Sequence, residues 1–173
     1  MNGTGTIVLN NLLVHNNLSR GRGGGIYTER EKSNTVTIDA CKIYSNESVH
    51  EGGGLFNGSG NKMVVRNILI YSNATALDGG GIHNEGSLAL FNSTITKNTV
   101  PDGRNGAGMS NATGLDSVLV FNSVFYKNSS PSDASYTFDN GINNSNGKLV
   151  LYNNYMDDQQ SSLTISRGEN NIF

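Results

Sequence analysis

The sequence has a single cysteine among 173 residues, Cys41, so no intrachain disulfide is possible. It has no apolar run longer than a few residues, so no part of it inserts into a bilayer as a spanning helix. Met1-Asn2-Gly3 does not open a signal peptide, and any export signal is expected to have been removed or to lie outside this chain. Positive charge is not in surplus. Twelve Lys and Arg stand against fourteen Asp and Glu, a net charge of −2, which leaves no broad basic face for nucleic acid or an anionic membrane. A 3.6-residue apolar stripe is missing throughout, so no helix is expected. The length suits a single domain, 1–173, with a sizeable core.

What is present is repetition. One phrase recurs as GGGIYTE from Gly23, GGGLFNG from Gly52, GGGIHNE from Gly79, GAGMSNA from Gly106 and, more loosely, NGINNSN from Asn140. Its apolar residue falls at Ile26, Leu55, Ile82, Met109 and Ile142, in steps of 29, 27, 27 and 33. A second phrase, x-φ-x-φ-x-N-x-x-φ-x-x-N with φ apolar, starts at Thr6, Thr35, Lys62, Ser87, Ser117 and Lys148. The two phrases keep one register, and that decides the fold.

The alternation in the second phrase reads as strand, with Ile7/Leu9, Val36/Ile38, Met63/Val65, Leu88/Leu90, Val118/Val120 and Leu149/Leu151 on the inner face. Short strands broken by Gly and Asn corners predict an all-β, single-stranded parallel β-helix: about six coils of 25–33 residues over 6–160, three short strands per coil, and a terminal segment 161–173 forming a partial coil or a cover. The right-handed form is expected from the crossover rule. A β-propeller needs about 40 residues per blade, more than these repeats supply.

Stacking gives each column of residues a role. The last Asn of the phrase, at Asn17, Asn46, Asn73, Asn98 and Asn128, is expected to sit in a left-handed corner and bond its equivalent one coil away; Gln159 replaces it in the sixth copy. A second column holds Asn11, Asn67, Asn92, Asn122 and Asn153, interrupted by Ala40. Gly24, Gly53, Gly80 and Ala107 are expected to let backbone approach the core closely, not to cradle phosphate, since no helix follows them. Cys41 reads as a small core filler.

The GG(I/L) phrase alternating with φxxN, literal in Phe125-Tyr126-Lys127-Asn128, resembles the GGAI and FxxN repeats of chlamydial polymorphic outer-membrane proteins. It is similar as well to right-handed β-helix repeats of bacterial adhesins and autotransporter passengers, and the pectate-lyase-like superfold shares the scaffold. The resemblance covers about residues 6–160. It implies an extracellular or cell-surface location and leaves function open, because binding proteins and lyases share the coil.

Chemistry is sparse. A lyase of this fold implies carboxylates converging on calcium with a basic residue beside them. The nearest arrangement is Glu51 and Asp78, one repeat apart before the glycines, with Asp102, Arg22 and Arg104 close in register. It offers calcium a weak site at best, so no cofactor is expected. His15, His50 and His83 occupy different repeat positions and are expected at the surface. No GxSxG elbow occurs, and no catalytic residue is assigned. Nine sequons are what so much Asn, Ser and Thr produces by chance, and some fall on ladder positions.

Two outward columns remain. Tyr44 and Tyr71 should stack as an exposed pair, with Tyr126 in the same column, a candidate surface for glycan. Val8, Val64, Leu119 and Val150, beside Phe91, Phe121 and Tyr152, form a stripe expected to be covered by a loop, by the segment after Gln159, or by self-association. No amphipathic capping helix is evident at either end, so the ends are expected to be covered either by further coils of a longer passenger or by other copies stacked head to tail as a filament. The expected function is thus structural or adhesive. A carbohydrate-binding or lyase-like module of a larger secreted protein is the alternative.

Overall fold

The computed structural model describes residues 4–112, 117–130, 142–144, 148–156 and 167–172. Among them every regular element is a strand. The first coil comprises β1 (Thr6–Asn10), β2 (Leu13–His15), β3 (Leu18–Ser19) and β4 (Ile26–Thr28). The second repeats them as β5 (Thr35–Asp39), β6 (Lys42–Tyr44), β7 (Glu47–Ser48) and β8 (Leu55–Asn57), the third as β9 (Lys62–Arg66), β10 (Leu69–Tyr71), β11 (Ala74–Thr75) and β12 (Ile82–Asn84). Then come β13 (Ser87–Phe91), β14 (Thr94–Thr96) and β15 (Met109–Asn111), β16 (Ser117–Phe121), β17 (Val124–Tyr126) and β18 (Ile142–Asn144), and finally β19 (Lys148–Tyr152), β20 (Tyr155–Met156) and β21 (Arg167–Glu169).

Each strand pairs in parallel with its equivalent one coil away, which makes the chain a parallel β-solenoid. The sheets run β1-β5-β9-β13-β16-β19-β21, β2-β6-β10-β14-β17-β20, β3-β7-β11 and β4-β8-β12-β15-β18. The coil thus has four sides instead of the expected three strands. The added side is only two residues long, and single bridges Ala74↔Thr99 and Thr99↔Ser129 carry it into later coils. Three coils are described throughout and the fourth apart from residues 113–116, and strands of the next two continue them. The terminal segment adds a partial coil, with β21 beside β19 and Ile172 beside Tyr155. Gln159 lies outside the described residues.

The inner face follows the alternation in the sequence. Val36, Ile38, Met63, Val65, Leu88, Leu90, Val118, Val120, Leu149 and Leu151 are all buried. Ile7 is 43% exposed and Leu9 half-buried, because β1 has a neighbour on one side only. Cys41 fills the core as expected and accepts a weak hydrogen bond from Leu12 N–H at 3.4 Å.

The corners differ from expectation in one respect. Asn11, Ala40, Asn67, Asn92, Asn122 and Asn153 do take left-handed angles, φ 48° to 56°. At the next corner the left-handed residue is Asn16, Ser45, Ser72, Lys97 or Lys127, one before the ladder asparagine. The ladder residue is thereby free to turn its amide inward. Asn46, Asn73, Asn98 and Asn128 are buried, and their amides are joined coil to coil at 2.9–3.0 Å, starting from exposed Asn17.

The glycines behave as read. A Cβ on Gly53 would lie 2.3 Å from the Ala74 carbonyl oxygen and 2.5 Å from that of Gly80. By the fourth coil the same position takes a methyl group, and Ala107 is fully buried.

Candidate functional site

The fourth sheet departs from simple alternation. Tyr27, Phe56, His83 and Ser110 are the outward residues of β4, β8, β12 and β15 and stand in register. Tyr27 is 50% exposed, but Phe56 is fully buried, His83 is 4% exposed and Ser110 is buried. A sheet buried on both faces needs cover outside it. Two loops supply that cover from opposite sides. Arg22 and Arg30 each place their guanidinium 5.6 Å from the centre of the Phe56 ring, within cation–π range. The rings form a stack, Tyr27 on Phe56 at 5.5 Å and Phe56 on His83 at 5.4 Å, the latter within 4° of parallel.

The glycine phrase makes this passage possible. Gly52 and Gly79 have φ of 78° and 76°, angles that a residue with a Cβ takes only with strain. A Cβ on Gly79 would stand 2.8 Å from the His83 Cβ. The loop therefore runs directly over the aromatic column.

Charge closes the cover. Arg30 binds Glu85 through both Nε and Nη2, across two coils. Arg22 Nε lies 2.8 Å from Glu51 Oε2, although the two are misaligned and make an ion pair without a hydrogen bond. His83 Nε2 stands 3.7 Å from Glu85 Oε1, too far for a hydrogen bond and close enough for charge to matter. Its Nδ1 is buried with no hydrogen-bond partner among the described residues. Burial pushes the Glu85 carboxyl up, but His83 and Arg30 outweigh it and hold the group at about 2. The bond to Glu85 raises Arg30 above its ordinary value, with Glu51 adding to it.

The expected site residues are distributed as follows. Tyr44 and Tyr71 stack at 4.8 Å and 9°, and His15 stacks on Tyr44 at 4.7 Å. Both faces of Tyr44 are thus covered by rings, and the pair is half-buried, presenting ring edges outward. Tyr126 is 38% exposed, tilted 46° against Tyr155, with the Lys127 ammonium 4.9 Å from its centre. On the apolar stripe Val8 is 64% exposed, Val64 and Leu119 are half-buried and Val150 is buried. Phe91, Phe121 and Tyr152 stack beside it at 5.5 and 5.1 Å.

Glu51 and Asp78 are neighbours one coil apart, since Gly52 N–H donates to the Asp78 carbonyl. Glu51 is held by Arg22, and Asp78 accepts the Asn105 N–H at 2.8 Å. Asn105, not Arg104, continues this column, because Gly79 N–H donates to its carbonyl. Asp102 accepts from the Ser130 hydroxyl at 2.8 Å. Among the described residues no three His, Cys, Asp or Glu come together as metal ligands. His15 and His50 are exposed as expected, whereas His83 is not: it lies flat on Phe56, with the Gly79 turn and Glu85 against it.

A third ladder was missed. Thr28, Asn57, Asn84 and Asn111 are buried and linked through their side chains at 3.2, 2.7 and 2.8 Å. Its signal was the sixth residue of each GGG phrase. Against protein-family models, curated proteins and solved structures alike, the chain finds no match.

Proposed function

We propose that this chain is a non-catalytic β-solenoid of the cell surface or extracellular space with a structural or adhesive role, its coils stacking head to tail on those of a second copy. The observation that carries this reading is one bonding pattern repeated from coil to coil: the corner amides of Asn46, Asn73, Asn98 and Asn128 join successive coils at 3.0 Å. Such ladders take up a further coil in register, of the same chain or of a second copy. Likeness of the GG(I/L) and FxxN phrases to polymorphic outer-membrane and autotransporter repeats supports the surface location. The test is electron microscopy of the protein isolated from its source. Thin fibres with an axial repeat of about 30 Å, six coils at about 4.8 Å each, are expected; discrete rods that sediment as monomers at every concentration would overturn the filament.

The second reading, a carbohydrate-binding module, is favoured by the fixed aromatic column that ends in exposed Tyr27. Lyase chemistry has less support, because Arg22 and the Asn105 amide already engage the two carboxylates it would use.

A further inference from the structure

Among the described residues the second sheet carries two contacts between tyrosines. Tyr44 on β6 and Tyr71 on β10 are partners in register, with ring centres 4.8 Å apart and planes within 9° of parallel. Register on neighbouring parallel strands sets corresponding positions of the two rings against each other. The other contact is between Tyr126 on β17 and Tyr155 on β20. Tyr155 stands opposite Val124, so these two rings meet on a diagonal, 6.4 Å apart and tilted 46°. Both pairs lie on a side wall of the solenoid, and coils added before or after the chain leave that wall open.

The first pair is closed off from further phenols. His15 covers the far face of Tyr44 at 4.7 Å, and Tyr71 is followed in register by Thr96. Each ring therefore has the other as its phenol neighbour. Both side chains are half-buried, which fixes the rings and still leaves them in reach of solvent.

This arrangement favours oxidative coupling. A tyrosine that loses one electron and its phenolic proton becomes a phenoxyl radical, with spin on the carbons ortho to the oxygen. Two such radicals side by side join through an ortho–ortho carbon–carbon bond. The protons on the coupled carbons then leave to solvent, the two oxygens take up protons, and both rings are phenols again. Two electrons and two protons are removed in all, and one hydrogen peroxide takes them up to become two waters.

We infer that Tyr44 and Tyr71 are a site of covalent modification by a peroxidase acting with hydrogen peroxide, and that the product is a dityrosine joining the second coil to the third. Contacts held by the fold favour coupling within this pair over coupling between molecules. The new bond closes one turn of the solenoid and constrains the unfolded chain as a disulfide does, in a sequence whose single cysteine forms none within the chain. The inference needs neither the filament nor the carbohydrate reading.

The test is oxidation of the full chain with a haem peroxidase and limiting hydrogen peroxide, at a dilution where sedimentation shows monomer, followed by peptide mass spectrometry. A linked Tyr44–Tyr71 peptide, lighter than its separate parts by two hydrogens, is expected in a yield per chain that further dilution leaves unchanged. It should exceed any Tyr126–Tyr155 product by about 10-fold or more, and the linked chain should unfold at higher urea than the untreated one. Tyr71→Phe keeps a ring on the stack and removes the phenol; it should abolish this product while circular dichroism matches the parent. Tyr126 and Tyr155 are 38% and 41% exposed, so equal or greater yield from that pair would show that exposure governs coupling and would overturn the site. Links formed only between molecules, or no dityrosine at all, would overturn it as well.

Discussion

Asn73 spends its whole amide on its neighbours. Its Nδ2 donates to Asn98 Oδ1 and to the Ile43 carbonyl, and its Oδ1 accepts both the N–H and the Nδ2 of Asn46, all at 3.0 Å. One side chain thus ties three coils, at a corner where the strands themselves stop pairing.

Replacing it should be costly. Asn73→Leu fits the volume of the corner but removes four hydrogen bonds; Asn98 Oδ1 keeps the residue-73 N–H and Asn46 Nδ2 keeps the Val14 carbonyl, whereas the buried Asn46 N–H loses its acceptor. A buried group left unpaired costs about 1–3 kcal/mol, and a loss of that size in urea unfolding is expected. Asn17→Leu, at the exposed end of the ladder, should cost less than about 1 kcal/mol. Equal losses at the two positions would show that the ladder is not what holds the corner.

Gly53 tests the close approach. With a Cβ placed 2.3 Å from one carbonyl oxygen and 2.5 Å from another, both of them backbone, Gly53→Ala has to push two coils apart. A loss of about 3 kcal/mol or more is expected by calorimetry, at the upper end for overpacked sites. A variant within about 0.5 kcal/mol of the parent would mean that the coils slide easily at this point.

Acid should loosen the fourth sheet through Glu85. Its carboxyl falls from an ordinary 4.5 to about 2 in the folded chain. A depressed carboxylate contributes stability that is full above about pH 4.5 and is lost as pH falls through about 2. With solvent screening discounted, the contribution is about 1–2 kcal/mol. Glu85→Gln should therefore flatten the stability profile across that window. Asp39, lowered chiefly by its bond from Asn67 and then by Arg66, titrates in parallel in both proteins and cancels from the difference. An unchanged slope would show that the Arg30–Glu85 clasp is open in solution.

The core was readable because Ile38, Val65 and Leu90 obey a period of two and nothing else competes for their face. The corner ladder was readable from Asn46 and Asn73 for a similar reason, since equal spacing in sequence becomes adjacency in a solenoid. Asn57 and Asn84 had the same spacing, but they sit inside the glycine phrase, where backbone demands accounted for the repetition. The cover over Phe56 and His83 was not readable at all. Over Phe56 it depends on where the long side chains of Arg22 and Arg30 come to rest, and over His83 on the Gly79 turn and Glu85; a register specifies backbone positions, not the reach of a side chain. The additional two-residue side was hidden likewise, because a strand as short as Glu47–Ser48 shows no alternation.

His83 allows a final test, in which substitution is expected to help. Its ring lies flat on Phe56 and is 4% exposed, yet Nδ1 has no hydrogen-bond partner among the described residues. A buried polar atom in that position costs about 1–3 kcal/mol. His83→Phe keeps a flat ring on the stack and removes the unpaired nitrogen, at the cost of the 3.7 Å contact with Glu85, which still has Arg30. A gain of about 1 kcal/mol is expected at neutral pH. His83→Ala removes the stack as well and should lose about 1–2 kcal/mol through the gap left beside Phe56. If His83→Phe were instead as destabilising as His83→Ala, the imidazole would owe its place to Glu85, and the aromatic column would be a consequence of that pairing, not its support.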